Sequence, residues 1–198
     1  MPHTPLLSSA HPLTALSGIQ PGSRRADDRI TRRTGAAALA AALAAASEQW
    51  LDRVEYRPAG RWTHLLHPDD AAAALDPSLH AELAAAQVWL LSWLPRQGTP
   101  LHDHGRSAGA FAVVRGTLTE RVVAVGRPGR AVQQTAADLT VGRVRHFGAH
   151  YVHQVTNTAG QPAVSVHVYT PGLTEMNTYS VVDHRLVRTG TEQAGVDW

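Results

Sequence analysis

His102, Asp103 and His104 place two imidazoles one residue apart, and a third follows at His153. Both stretches are β-type sequence. Successive side chains of a strand alternate between faces, so His102 and His104 share one face. An imidazole from a neighbouring strand completes a facial set of three donors. Such a set leaves coordination positions open, which suits a metal used for chemistry rather than for holding a fold together. Asp103 points to the opposite face and reads as a surface or supporting residue rather than a ligand. His150 is out of phase with His153 and is set aside.

A second pattern lies downstream. Ser165, His167 and Tyr169 alternate with Val164, Val166 and Val168. The period is two, so the polar three share one face and the valines the other. A polar row on a buried strand is costly unless it is hydrogen-bonded or functional. Ser to His to Tyr can form a hydrogen-bonded relay, read either as a structural network or as a route by which the phenol reaches a ligand.

These residues need a scaffold, and 198 residues allow one domain with a proper core. There is no cysteine, so neither disulfides nor thiolate metal sites are possible and any metal is held by His, Asp or Glu. All eighteen basic residues are Arg, which with the Ala-rich runs reads as the bias of a GC-rich genome. A net charge of +2 and the lack of a basic stripe with interleaved aromatics argue against a nucleic-acid partner. No apolar run reaches membrane-spanning length. The N-terminus lacks a basic segment followed by an apolar one, so the expectation is a cytoplasmic protein.

Residues 1–26, rich in Pro, Ser, Gly and Thr, read as a flexible arm, and 27–198 as one domain. Within it, 27–86 reads as helical and 87–198 as a β-barrel. Helix is expected from Asp28 to Asp52, where Leu39, Leu43, Ala46 and Trp50 recur at helical spacing. Arg57 to Pro68 reads as irregular. Asp76-Pro77 reads as a helix start. After Gln87, short apolar segments follow one another at 88–94, 110–115, 118–125, 131–135, 139–145, 151–157, 163–169, 177–182 and 184–188. Turn signals such as Gly126-Arg127-Pro128-Gly129 separate them. Many short strands with no intervening helix predict a mainly β sandwich or barrel.

The spacing Gly98…His102-Asp103-His104…Gly109…Gly116, followed by Gly142…Gly148…His153…Asn157, resembles the two motifs of the cupin superfamily. That resemblance implies a jelly-roll barrel, a double-stranded β-helix, behind N-terminal helices. The motif's usual acidic ligand falls on Gly109, so the implied first set of donors is three neutral imidazoles. With Pro162-Ala-Val-Ser-Val-His-Val-Tyr-Thr-Pro171 added, residues 88–182 resemble the cysteine dioxygenase (thiol dioxygenase) family. The resemblance implies Fe(II) held by His102, His104 and His153, with Ser165, His167 and Tyr169 as the relay. It also implies a small thiol, L-cysteine or a mercapto-acid, oxidised with O2 to the sulfinic acid.

The chain departs from that family in two places. Some members carry a Cys, crosslinked to the relay Tyr, at the place of Gly109. They also carry an Arg before the first motif that pairs with the substrate carboxylate, and ungapped alignment puts His64 there. Mercaptopropionate-type relatives place an Arg where this chain has Thr178. Arg61, Arg57 or Arg106 can substitute, and Arg61, His64 and Gly109 are taken as candidate substrate contacts. A monomer or small homo-oligomer is expected. The alternative functions are a non-catalytic cupin that binds a metal or ligand, or a three-His cupin of other chemistry.

Overall fold

The computed structural model of the chain describes residues 35–124 and 131–195. The expected arm and the 126–129 turn lie outside them. Helix α1 covers residues 35–45 and ends well before Asp52. The Trp50 indole donates to the Leu43 carbonyl at 3.0 Å, satisfying a group that the end of a helix leaves open. The chain then tightens into single 3-10 turns at Ser47–Gln49 and Leu51–Arg53. Two short helices follow, α2 (Pro68–Ala73) and α3 (His80–Leu83). As expected, Asp76 caps the turn before α3, its side chain accepting from the Ser78 N–H at 2.9 Å.

Among the described residues, eleven strands make two antiparallel sheets. One has the order β1 (Trp62–Leu65), β2 (Gln87–Trp93), β9 (Ala163–Thr170), β4 (Ala108–Arg115), β7 (Val144–Phe147). The other runs β11 (Arg185–Gln193), β10 (Glu175–Val182), β3 (Leu101–His102), β8 (Val152–Thr156), β5 (Thr117–Ala124), β6 (Gln133–Thr140). This is the mainly β jelly-roll class. Strand β1 corrects the irregular reading of Arg57 to Pro68: Trp62 to Leu65 pair in register with Ser92 to Trp89. The segments 131–135 and 139–145 are divided differently, with one strand from 133 to 140 and a new one from 144.

Strand β9 is buried along all eight residues because both of its faces are covered. Val164, Val166 and Val168 pack with Val88, Leu90, Ala110 and Ala112 against Leu39, Leu43 and Trp50 of the helical layer. Full burial of each such side chain contributes roughly 1.5–3 kcal/mol. The opposite face of the same sheet, with Trp89, Leu91, Trp93, Phe111 and Val113, meets Leu118, Leu139, Val155 and Met176 of the second sheet. Ser165, His167 and Tyr169 lie on this interior face. The alternation read from the sequence therefore holds along the whole strand.

Candidate metal centre

Strand pairing brings the imidazoles together. His102 on β3 stands directly opposite His153 on β8, and His104 lies just past the end of β3, where the chain enters the Gly105-Arg106 turn. Asp103, buried between them, locks that turn. Its carboxylate accepts from the Gly105 N–H at 2.9 Å, from Asn177 Nδ2 at 2.9 Å and from Tyr179 Oη at 2.7 Å. Gly105 sits at φ 57°, a conformation that costs glycine little. Burial and the bond to Asp103 push the Tyr179 phenol up to about 12. Asn157 ties the end of β8 down, donating Nδ2 to Trp93 O at 3.0 Å and to Gln161 O at 2.8 Å.

The ring centroids of His102, His104 and His153 lie 4.8 to 5.1 Å apart. One nitrogen from each can be chosen so that all three fall within 4.8 Å of one another. Burial, reinforced by the neighbouring imidazoles, holds His102 and His104 well below the ordinary histidine range. They are therefore neutral and able to offer lone pairs. His102 Nδ1 contacts the Pro100 carbonyl at 3.0 Å. A carbonyl can only accept, so Nδ1 carries the hydrogen and Nε2 remains for a cation. His153 Nδ1 meets the Glu120 carboxylate at 2.8 Å, with the same consequence. His104 is held differently: its Nδ1 is buried without a partner and its ring stacks on Phe147 at 4.3 Å. Three converging imidazoles, two of them with Nδ1–H held by an acceptor, fit a transition-metal ion.

The polar row of β9 faces this group. Trp93 Nε1 donates to Ser165 Oγ at 2.9 Å, and Ser165 Oγ lies 2.8 Å from His167 Nε2. Indole N–H is only a donor, so the serine hydrogen is free to go to His167 Nε2. His167 then carries its hydrogen on Nδ1, which faces Tyr169 Oη at 3.4 Å. The phenol's own hydrogen is left to point into the cavity. Burial lowers His167 to about 3 and pushes Tyr169 above its ordinary range, so neither is charged. The His167 ring stacks flat on Phe111, 4.9 Å between centroids.

His102, His104, His153, His167 and Tyr169 enclose a small cavity with Arg61 and Met176. Arg61 donates Nη1 to Gly98 O at 2.9 Å and lies over the Trp93 ring at 5.4 Å. Its Nε is buried with no partner, and burial lowers the guanidinium from its ordinary value.

Two expected substrate contacts lie elsewhere. His64 is on the other face of β1 from Arg61, stacked on Trp62 at 5.4 Å and 1°. The ungapped alignment fails here because one strand position decides which face a side chain takes. Gly109 pairs with Tyr169 but does not line the cavity. A Cβ there would stand 2.2 Å from the Val168 carbonyl oxygen and 2.9 Å from Phe147 Cζ. Arg57 is engaged by Glu55 at 2.8 Å, and Arg106 is exposed; neither lines the cavity.

Sequence reading missed both Trp93 as a relay partner and Glu120. Glu120 is fully buried. Besides His153, it faces Arg145, whose Nε is 2.6 Å from Oε2. That N–H is too poorly aligned to count as a hydrogen bond, so the contact is one of charge. Tyr151 Oη donates to Oε1 at 3.4 Å. A signal for Glu120 did exist: Leu118, Glu120 and Val122 alternate, which turns the acid toward the apolar face of its strand.

The family model for cysteine dioxygenase type I matches residues 79–182. No curated protein sequence matches the chain. Among solved structures, the chain is similar to TT1209 from Thermus thermophilus at 21% identity, covering 62% of this chain and 94% of that one, with a TM-score of 0.44. It is also similar to an oxalate oxidase in complex with the substrate analogue glycolate, at 15% identity over 58% of this chain and 52% of that one, TM-score 0.45. Oxalate decarboxylase from Bacillus subtilis matches at 14% identity over 65% of this chain and 30% of that one, TM-score 0.47. The match thus spans about half of the oxidase chain and under a third of the decarboxylase.

Proposed function

Because this chain belongs to the cysteine dioxygenase type I family, we propose that it is an Fe(II)-dependent thiol dioxygenase. Its substrate is a small thiol with an anionic end group, L-cysteine or a mercapto-acid, converted with O2 to the sulfinic acid. The observation that carries this reading is the convergence of three imidazoles, the Tyr169 hydroxyl and the Arg61 guanidinium on one small cavity. In R–SH + O2 → R–SO2H both oxygen atoms end on sulfur, and sulfur supplies all the electrons, so no reducing cofactor is required.

Bound at His102, His104 and His153, the metal supplies a shared attachment point for thiolate and O2, and a positive charge that favours the deprotonated thiol. The chain's own groups do the rest. Arg61 offers its unpartnered Nε to a carboxylate, a charge-assisted hydrogen bond. Tyr169 donates its hydroxyl hydrogen into the cavity, toward developing negative charge on oxygen. His167, neutral and held between Phe111 and Ser165, keeps the phenol aimed.

Oxygen uptake by the Fe(II)-loaded protein tests the reading, with cysteine, mercaptopropionate, mercaptosuccinate, cysteamine and homocysteine as substrates and mass spectrometry for sulfinate. Turnover of a carboxylate-bearing thiol, with none of cysteamine, is the expected result. Silence across the panel with iron bound would sink the reading and favour a cupin that binds without turnover.

A further inference from the structure

Glu120 is the only carboxylate among the described residues whose oxygen is bonded to one of the three converging imidazoles. It sits on β5, directly opposite Val155 on β8, and so reaches His153 from inside the barrel. The side chain is fully buried, where an unpaired charge is costly. Its counter-charge comes from Arg145 on β7, a strand of the facing sheet. The carboxylate therefore spans from the inner face of one sheet to a cation of the other, with the His153 ring held on Oε1. Glu120 and His153 are both buried strand residues, while Arg145 reaches Oε2 from a side chain 37% exposed and Tyr151, just ahead of β8, donates to Oε1.

We propose that Glu120, tethered by Arg145, is the positioning residue of the metal centre: it fixes the His153 ring with Nε2 toward the cavity and places a negative charge one ring away from the metal. The carboxylate that the sequence lacks at Gly109 is thus not missing from the site's electrostatics. It stands behind a ligand instead of beside it. The proposal rests on the reading that His102, His104 and His153 bind a metal. It follows that His153 donates more strongly than His102, whose Nδ1 is held by a neutral carbonyl. It also follows that Arg145 limits how much of that charge the metal feels.

The test is Fe(II) and Co(II) affinity, by competition with a chromophoric chelator, together with the visible d–d spectrum of the Co(II) form. The proteins are the full chain, Glu120→Gln, and the double variant Glu120→Gln with Arg145→Gln. The amide introduced by Glu120→Gln keeps an acceptor for the His153 Nδ1–H but loses the charge, and the double variant also removes the cation that would otherwise be left unpaired. A fall in affinity of roughly 10- to 100-fold in both variants, with a shifted Co(II) spectrum, is expected. Wild-type affinity and spectrum in the double variant would overturn the proposal, since Glu120 would then serve only to neutralise Arg145. Failure of the unaltered protein to bind either metal would overturn the three-His reading, and this proposal with it.

Discussion

The two faces of β9 are built on opposite rules. One is three valines pressed on the helical layer, with no polar atom and no directional contact. The other is Ser165, His167 and Tyr169, joined end to end and capped by Trp93. Both are equally buried, so burial alone does not mark the functional face. The difference lies in what a substitution disturbs. On the valine face only volume and apolarity matter, and loss is felt as stability. On the polar face each group satisfies the next, so loss is felt as an unpaired neighbour and a misaimed phenol.

Four experiments break or sharpen this contrast. The largest effect belongs to His104→Ala, opposite the polar row: Fe(II) affinity is expected to fall by more than about 100-fold, beyond what loss of a ligand's supporting partner produces. Chelator competition reads it. Val166→Ala should cost about 2 kcal/mol of unfolding free energy, from two lost methyl groups and the cavity they leave, while metal affinity stays unchanged; denaturant titration and metal binding on the same samples check both halves. Equal losses in both readouts would erase the distinction between the faces. Tyr169→Phe should leave metal affinity near wild type, cost roughly 1 kcal/mol of stability through the His167 Nδ1–H left unpaired, and lower kcat roughly 10-fold, as one charge-directed hydrogen bond is lost; denaturant titration and steady-state oxygen uptake measure the two.

The fourth experiment reads a pH dependence. His167 is held at about 3 in the folded protein by burial, against an unfolded value near 6.5. Between these the unfolded chain binds a proton that the folded chain refuses. The stability of the metal-free protein should therefore be full above about pH 6.5 and decline as pH falls toward 3, by about 1.4 kcal/mol per pH unit for this group. Burial of His102 and His104 acts in the same direction. His167→Gln should flatten the slope in acid titrations of stability; an unchanged slope would show that His167 is not the group responsible. The valine face contributes nothing to it.

What could be read in advance follows the range of the interaction. Alternation is local, so β9 and both of its faces were visible in eight residues, and His102 and His104 in three. Strand β1 was not visible: it is four residues long, and its partner β2 lies some twenty residues on. The helix was over-extended because an Ala-rich run does not show where a distant indole will close it, as Trp50 does at Leu43. Glu120 was missed because what defines it, His153 and Arg145, comes from other strands. Its strand pattern carried only the hint of a charge turned inward. Arg61 and His64 were within reach together, and only the register of β1 separated them.

Gly109 has a consequence for descent. The 2.2 Å and 2.9 Å that a Cβ would meet there close the position to every other amino acid unless the backbone of β9 and the ring of Phe147 both yield. A thioether to Tyr169 therefore lies several coordinated changes away, with each single step worse than its starting point. With no cysteine anywhere in the chain, Tyr169 has no thioether to form.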